Sequence, residues 1–156
     1  MKETIEIIRT NTHHKDFLML VRALDAYLAI TDGDEHDFYD QFNKLDHIDC
    51  VILLYVDGIP AACGAIKPYD RDSAEIKRMF TTEACRGKRL AGKVLHALEQ
   101  WAAELGFSRC ILETGTRQKA AIALYERSGY RYMPCYGQYQ GMENSRCFEK
   151  KLVGSS

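Results

Sequence analysis

The chain has 156 residues, a net charge of −1 and 46% hydrophobic residues. This length fits about one domain, and the balanced charge argues against a nucleic-acid binder, which normally carries a basic stripe. No apolar run reaches the roughly 18 residues of a membrane span. We therefore expect one domain over residues 1–153 with a frayed tail at 154–156, and neither nucleic acid nor membrane as a partner.

Hydrophobic periodicity and turn signals divide the chain into a mixture of strands and helices. The order is a strand at 4–9, helices at 14–29 and 35–45, three strands between 50 and 81, a helix at 89–105, a strand at 108–114, a helix at 117–130 and two C-terminal strands. Asp57-Gly58 is a strong signal for a hairpin between the second and third strands. The order predicts an α/β fold with a mostly antiparallel front half and a strand–helix–strand crossover behind it.

The strand at 74–81 changes its alternation partway along. Ile76 belongs to one alternation, whereas Met79 and Thr81 belong to the other. Such a slip predicts a β-bulge, which bends a strand and frees backbone groups from the ladder.

The six cysteines predict reduced thiols rather than disulfides or a metal site. They are Cys50, Cys63, Cys85, Cys110, Cys135 and Cys147. None forms a CxxC pair and no apolar leader precedes Met1, so we expect a cytoplasmic protein. His13 and His14 are adjacent and cannot easily turn both rings onto one ion, so no metal is expected. No histidine signature accompanies Cys110 or Cys135, which favours buried thiols over covalent nucleophiles.

The stretch "RGKRLAGKVL", residues 86–95, lies between a predicted strand and a long helix. The N-terminus of a helix carries unpaired N–H groups and partial positive charge, so a loop there can bind phosphate. The stretch matches neither GxxxxGK[ST] nor GxGxxG, and by itself a plain helix start explains it equally well. Residues 25–49 are acidic by contrast, with eight acids against Lys44. This polarity fits an anion at one end and a cation at the other, although solvated faces explain the acidic segment as well.

Three segments together resemble the GCN5-related N-acetyltransferase (GNAT) superfamily, in order and over nearly the whole chain. They are the strand "AEIKRMFTTEACRG", the loop "RGKRLA" and the helix "QKAAIALYERSGY". Arg89 stands where the family's loop has its first glycine, and Gln118 stands in an asparagine position. The resemblance implies a mixed, mostly antiparallel sheet of about seven strands, with helices on both faces and a splayed, bulged fourth strand. It also implies acetyl-CoA as co-substrate and direct acetyl transfer to a primary amine.

The resemblance assigns the cofactor contacts to two segments and one further residue. Backbone groups of Met79, Phe80 and Thr81 would hold the pantetheine arm; Arg86, Gly87, Lys88, Arg89, Leu90, Ala91 and Gly92 would hold the pyrophosphate; Gln118 and Tyr125 would also contact the cofactor. A Cβ at residue 89 can block close backbone approach. If Arg89 keeps helical angles and points outward, its guanidinium can reach a CoA phosphate instead, which we favour over a solvated surface arginine.

The resemblance also supplies the catalytic candidates. Tyr125 lies where family members use a tyrosine hydroxyl to meet the CoA sulfur, although a core tyrosine is the ordinary interpretation of its position. Glu113 and Glu75 each correspond to a glutamate that serves as base in one branch of the superfamily. Either carboxylate could instead be solvated or paired with Lys77 or Arg78, and deprotonation through water or by the substrate remains open.

The acceptor, a small-molecule or peptide amine, would lie between the loop after the first helix and the region before the last strand. Asp34 and Glu35 suggest a cationic acceptor, and Tyr136 and Tyr139 could form an aromatic wall. The resemblance makes a homodimer an expected state. Two rival interpretations are a non-catalytic acyl-CoA sensor and an interaction module that binds no CoA.

Overall fold

The computed structural model describes residues 3–31, 33, 48 and 50–152, and these form one mixed sheet with three helices. The strands are β1 (Ile5–Thr10), β2 (Cys50–Val56), β3 (Ile59–Pro68), β4 (Ser73–Thr81), β5 (Arg109–Gly115), β6 (Arg131–Met133) and β7 (Ser145–Lys151). The helices are α1 (Lys15–Thr31), α2 (Leu90–Glu104) and α3 (Lys119–Arg127). The helix predicted at 35–45 lies outside the described residues.

The sheet has the strand order β1-β2-β3-β4-β5-β7-β6, and only β4 and β5 pair in parallel among the described strands. Asp57 and Gly58 form the predicted turn between β2 and β3, with φ values of 51° and 81°. The parallel pair is joined by the crossover through α2. The predicted α/β fold with a mostly antiparallel sheet is confirmed.

Helices cover the two faces of the sheet because side chains alternate along each strand. On one face, Phe17 and Leu20 of α1 pack with Val51 and Leu53 of β2. On the other face, α2 and α3 pack against the alternate positions, such as Ile52 of β2. No helix of the described residues is long and apolar enough to cross a membrane.

The predicted bulge lies in the middle of β4. Cys63 of β3 opposes Phe80 and Ala65 opposes Lys77, so Gly64 alone faces two residues, Arg78 and Met79. A Cβ built on Gly64 would lie 2.5 Å from the sulfur of Met79, so any larger residue at this position would require the packed side chains to shift.

Strands β4 and β5 diverge after a short parallel ladder. Ser73 to Glu75 of β4 pair with residues 109–111 of β5, and beyond Glu75 the two described strands share no ladder pairs. The bulge and the divergence together open the centre of the sheet. The resulting gap is the predicted splay.

Candidate active site

A cavity of about 430 Å³ lies at the opening between β4 and β5. Its walls come from α1, β4, the loop 85–89, β5 and both helices on the opposite face. Side chains from the two faces of the sheet meet in it, because the separated strands no longer form a barrier. All three predicted catalytic side chains, Tyr125, Glu113 and Glu75, line this one cavity.

Most of the predicted cofactor-binding residues also line the cavity. They are Met79, Phe80, Thr81, Arg86, Gly87, Arg89, Leu90, Ala91, Gln118 and Tyr125. Lys88 and Gly92 are absent from the lining, and Lys88 instead pairs with Glu3 at 2.7 Å on the protein surface.

Arg89 does not have the helical angles that we considered. It is the residue before α2 and adopts the left-handed conformation, with φ 61° and ψ 26°. This is the backbone conformation that a glycine adopts at little cost, and a residue with a Cβ adopts it at a cost of roughly 1–3 kcal/mol. The loop therefore has a left-handed turn before the helix although the glycine is missing.

The first turn of α2 is uncapped. The side chain of Arg89 makes no capping hydrogen bond, and no acidic residue lies in that turn. Ser, Thr, Asp or Asn usually accepts a bond from these N–H groups, so an uncapped helix start facing a cavity is suited to an anion.

Arg86 attaches the loop to β4. Its Nε donates to the carbonyl oxygen of Thr81 at 3.2 Å, and its guanidinium lies 5.2 Å from the ring centre of Tyr27 and 5.9 Å from that of Phe80. Arginine stacks well on aromatic faces because its guanidinium is planar and weakly hydrated. The contacts hold a positive charge at the loop end of the cavity.

Gln118 and Tyr125 approach the cavity from α3. The side-chain nitrogen of Gln118 is buried and has no hydrogen-bond partner in the described part of the chain, which leaves a donor for a ligand. Tyr125 is 5% exposed and packs edge-on against Tyr130, with ring centres 5.7 Å apart. Burial, together with the negative charge of Glu113, raises the pKa of Tyr125, so its phenol stays protonated at neutral pH.

Glu75 belongs to a buried polar cluster on the α1 side of β4. It is 4% exposed and accepts a hydrogen bond of 2.7 Å from the hydroxyl of Tyr136. The Nζ of Lys77 lies 3.8 Å from Glu75 and 3.4 Å from the hydroxyl of Tyr139. Burial lowers the pKa of Lys77, and the charges of Glu75 and Glu113 partly oppose this.

Glu113 lies across the opening, on β5, and is half-buried. It is two residues beyond Ile111, the last position that pairs with β4, and therefore beside the opening. Its charge raises the pKa of both Tyr125 and Tyr139, in each case after the larger effect of burial. The two candidate bases thus lie in one cavity, one on each diverging strand.

The residues predicted to bind the acceptor are not among the described residues that line the cavity. Asp34 and Glu35 lie outside the described residues. Tyr136 and Tyr139 are 7% and 2% exposed and pack edge-on behind β4 at 5.8 Å, and neither is among the residues that line the cavity. In the structure their hydroxyls contact Glu75 and Lys77 instead.

Sequence reasoning overlooked two groups of lining residues. The first is Leu24, Tyr27 and Leu28 of α1; the helical periodicity places Leu24 and Leu28 on the apolar face and does not select Tyr27. The second is the pair Lys77 and Arg78, which we considered only as partners for the glutamates. Consecutive buried cations inside a strand would have been the signal, because such residues are rarely buried without a partner.

The two cysteines considered as nucleophiles, Cys110 and Cys135, are not among the residues that line the cavity, whereas Cys85 is. Cys110 is fully buried, and burial raises the pKa of its thiol to about 12, which keeps it protonated. All six cysteines are free thiols in the structure. Among the described residues, no group of three His, Cys, Asp or Glu side chains is placed to hold a metal ion.

The sequence matches the model of the acetyltransferase (GNAT) family over residues 17–130. An uncharacterized N-acetyltransferase of Escherichia coli strain K12, YjgM, is 35% identical over 113 residues, which are 70% of this chain and 66% of that protein. This chain therefore spans just under two thirds of that relative's length.

Two solved structures have the same fold. A Klebsiella pneumoniae protein named as an acyl-CoA N-acyltransferase superposes with a TM-score of 0.77 and 31% identity, over 96% of this chain and 97% of its own. A GNAT family acetyltransferase from Elizabethkingia anophelis, with acetyl-CoA bound, superposes with a TM-score of 0.70 at 17% identity, over 97% of this chain and 100% of its own.

Proposed function

Because the chain belongs to the GNAT family of acetyltransferases, we propose that it transfers the acetyl group of acetyl-CoA directly to a primary amine. The observation that carries the proposal is that one cavity, at the splay of β4 and β5, is lined by a phosphate-type loop, a protonated phenol and two carboxylates. The acetyl-CoA bound to the Elizabethkingia protein of the same fold supports the choice of co-substrate.

The lining residues fit such a co-substrate. The uncapped start of α2, with Arg86 and Arg89 beside it, suits the diphosphate. The edge of β4 beyond Glu75 has no ladder partner in β5 among the described residues, so backbone groups of β4 that face this gap can pair with the amides of the pantetheine arm. The carbonyls of Arg78 and Thr81 already accept from Cys63 and Arg86. The buried amide of Gln118 offers a further donor. Acetyl-CoA, when bound, supplies a thioester whose sulfur leaves as a thiolate.

Tyr125 is proposed as the acid. Its hydroxyl holds a proton at neutral pH and lines the cavity, so it can donate to a thiolate that forms there. A protonated amine must lose its proton before it attacks, because an alkylammonium has a pKa near 10. Glu113 and Glu75 are the proposed acceptors of that proton, directly or through water. Tyr136 fixes the orientation of Glu75 through its hydrogen bond.

The test is acetyl-CoA-dependent release of CoA thiol with a panel of primary amines, using wild type and Tyr125→Phe. We expect kcat to fall by about 100-fold or more in the variant, with acetyl-CoA affinity nearly unchanged. Equal turnover in both proteins would remove Tyr125 from the chemistry. Acetyl-CoA binding with no turnover for any amine would favour the non-catalytic sensor.

The two candidate bases are separated by Glu75→Gln and Glu113→Gln. The amide replacement keeps the shape of the side chain and removes its basicity. In the variant that lacks the catalytic base, kcat/KM should no longer fall at low pH as that carboxylate becomes protonated. The variant of the other glutamate should keep this fall. If both profiles match wild type, deprotonation proceeds without either carboxylate.

A further inference from the structure

The wall of the cavity contains a buried arginine whose hydrogen-bonding capacity is mostly unused. The side chain of Arg78 is 2% exposed, and its Nη2 donates to Asp25 of α1. Its Nε and Nη1 are buried and have no hydrogen-bond partner in the part of the chain that the structure describes. Three N–H groups of this guanidinium thus have no acceptor among the described residues, in a residue that lines the cavity.

The bulge of β4 places Arg78 there. Regular alternation would put residue 78 on the same face as Ile76, which packs with α2 and α3. Instead, Arg78 has a φ of 58° and its side chain reaches α1 on the opposite face. The fold thus combines a left-handed residue that has a Cβ with a buried cation that has unpaired N–H groups. Both features are unfavourable for stability, which indicates that a ligand uses this guanidinium.

The charges around Arg78 indicate what kind of ligand it would receive. Asp25 is 44% exposed and occupies one nitrogen. Lys77, the neighbouring cation, is already engaged by Glu75 at 3.8 Å and Tyr139 at 3.4 Å. Arg78 is therefore the cation on this side of the described cavity whose N–H groups still lack acceptors. A carboxylate is planar, carries charge and matches guanidinium N–H groups well.

The phosphates of a co-substrate are a less suitable occupant. Arg78 lies three residues before the end of β4, adjacent to Lys77 and Glu75 of the buried cluster. The loop cations Arg86 and Arg89 follow the end of that strand, beside the start of α2. The cavity thus has separate cations for its two ends.

Resting on the proposed function, we propose that Arg78 binds a carboxylate of the acceptor, so that the acceptor is an amino carboxylic acid. Its amine would face Glu75 and Glu113, which attract an ammonium and can take its proton, and its carboxylate would face Arg78. Asp25 positions the guanidinium. The cavity then complements both charges of one small zwitterion.

The test compares amino acids with their carboxamides as acceptors. The probes are the standard L-amino acids, β-alanine and γ-aminobutyrate, each compared with its carboxamide. β-Alanine and γ-aminobutyrate increase the spacing between the amine and the carboxylate. The proteins are wild type, Arg78→Gln, Arg78→Lys and the control Arg71→Gln, which removes an exposed arginine in the turn before β4. Gln and Lys both have a Cβ, so the left-handed strain at residue 78 stays similar across the series. Circular dichroism and acetyl-CoA titration establish that each variant is folded.

We expect at least one amino acid to exceed its carboxamide by about 100-fold in kcat/KM. In Arg78→Gln this preference should disappear through a higher KM for the carboxylate. Arg78→Lys should retain part of it, and Arg71→Gln should retain all of it. Equal kcat/KM for every amino acid and its carboxamide in wild type would overturn the proposal, as would an equal loss for both in Arg78→Gln.

A binding measurement distinguishes failure of this inference from failure of the proposed function. The same compounds are titrated calorimetrically into CoA-saturated protein, without turnover. If no amine is acetylated but an amino acid binds wild type and not Arg78→Gln, the carboxylate site stands and the transferase proposal fails. If amines are acetylated and no amino acid binds better than its carboxamide, the transferase proposal stands and the carboxylate site fails. If wild type neither acetylates an amine nor binds an amino acid, both fail.

Discussion

At the scale of single residues, the loop 86–92 lacks the family's first glycine but keeps a left-handed backbone at that position, Arg89. Arg89 has φ 61° although it carries a Cβ, and Gly87 two residues earlier has φ 85°. The side chain at residue 89 contributes a positive charge to the cavity wall, and the backbone there carries a conformational cost. Charge and strain are thus combined in one residue and can be separated by mutation.

We expect Arg89→Gly to stabilise the folded protein by about 1 kcal/mol, because glycine adopts the left-handed conformation without a clash. Arg89→Ala should give no such gain, because alanine keeps the Cβ. Both variants should bind acetyl-CoA more weakly than wild type, because both lose the guanidinium. Urea unfolding and calorimetric titration check the two effects. Unchanged acetyl-CoA affinity in both variants would make Arg89 a surface residue without a role in binding.

At the scale of elements, the bulge of β4 organises the site. It orients Arg78 towards α1, and it allows Met79 to pack over Gly64. The strand then separates from β5 beyond Glu75, which brings Glu113 and Tyr125 into the same cavity.

Gly64→Ala tests the dependence of the bulge on close packing. The new Cβ would lie 2.5 Å from the sulfur of Met79, 2.8 Å from Leu98 and 2.9 Å from Val94. We expect a loss of about 1–3 kcal/mol in the free energy of unfolding and a lower affinity for acetyl-CoA. Ala61→Gly, in the same strand, is a control that removes a Cβ. A Gly64→Ala protein as stable as wild type would mean that Met79 moves aside and that the bulge does not need the glycine.

Among the described residues, the sequence predicted the elements and the bulge because both depend on local patterns. Alternation in β4 changes phase at the bulge, and Asp57-Gly58 marks the hairpin. Gly64 was not identified, since its role arises from Met79, Val94 and Leu98, which approach it in space.

The lining of the cavity was predicted in part. Short motifs identified the loop 86–92 and Tyr125, and Tyr125 and all of the loop except Lys88 and Gly92 line one cavity. The prediction of helical angles for Arg89 was wrong, because a motif shows residue types and not the backbone turn that precedes α2. Arg78 was overlooked as a cavity residue, since a bulge changes the direction of a side chain in a way that alternation does not reveal.

At the scale of the whole molecule, hydrogen bonds from buried tyrosines connect segments that are distant in the sequence, and these tyrosines make stability depend on pH. Tyr130 donates to Glu99 at 2.8 Å, and Tyr136 donates to Glu75 at 2.7 Å. Burial raises the pKa of both phenols, and the neighbouring glutamates raise it further. Below pH 10 these phenols are protonated in the folded and the unfolded chain, so they cause no change of stability with pH.

Above about pH 10 the unfolded chain loses these protons first, which lowers its free energy relative to the folded state. The free energy of unfolding should therefore fall as the pH rises past 10. Tyr136→Phe should show a shallower fall, although it starts from a lower stability because Glu75 loses its hydrogen bond. Urea unfolding from pH 8 to pH 11 measures both slopes. Equal slopes for the two proteins would mean that Tyr136 ionises as readily when folded as when unfolded.

The central claim is that the opening between β4 and β5 is a binding site for acetyl-CoA. The most direct measurement is calorimetric titration of acetyl-CoA into the wild-type protein, with dephospho-acetyl-CoA in parallel and Arg89→Ala as the comparison. The account predicts saturable one-site binding of acetyl-CoA that weakens in the variant. A folded wild-type protein that binds neither compound would contradict it, and residues 86–92 would then be only the start of a helix.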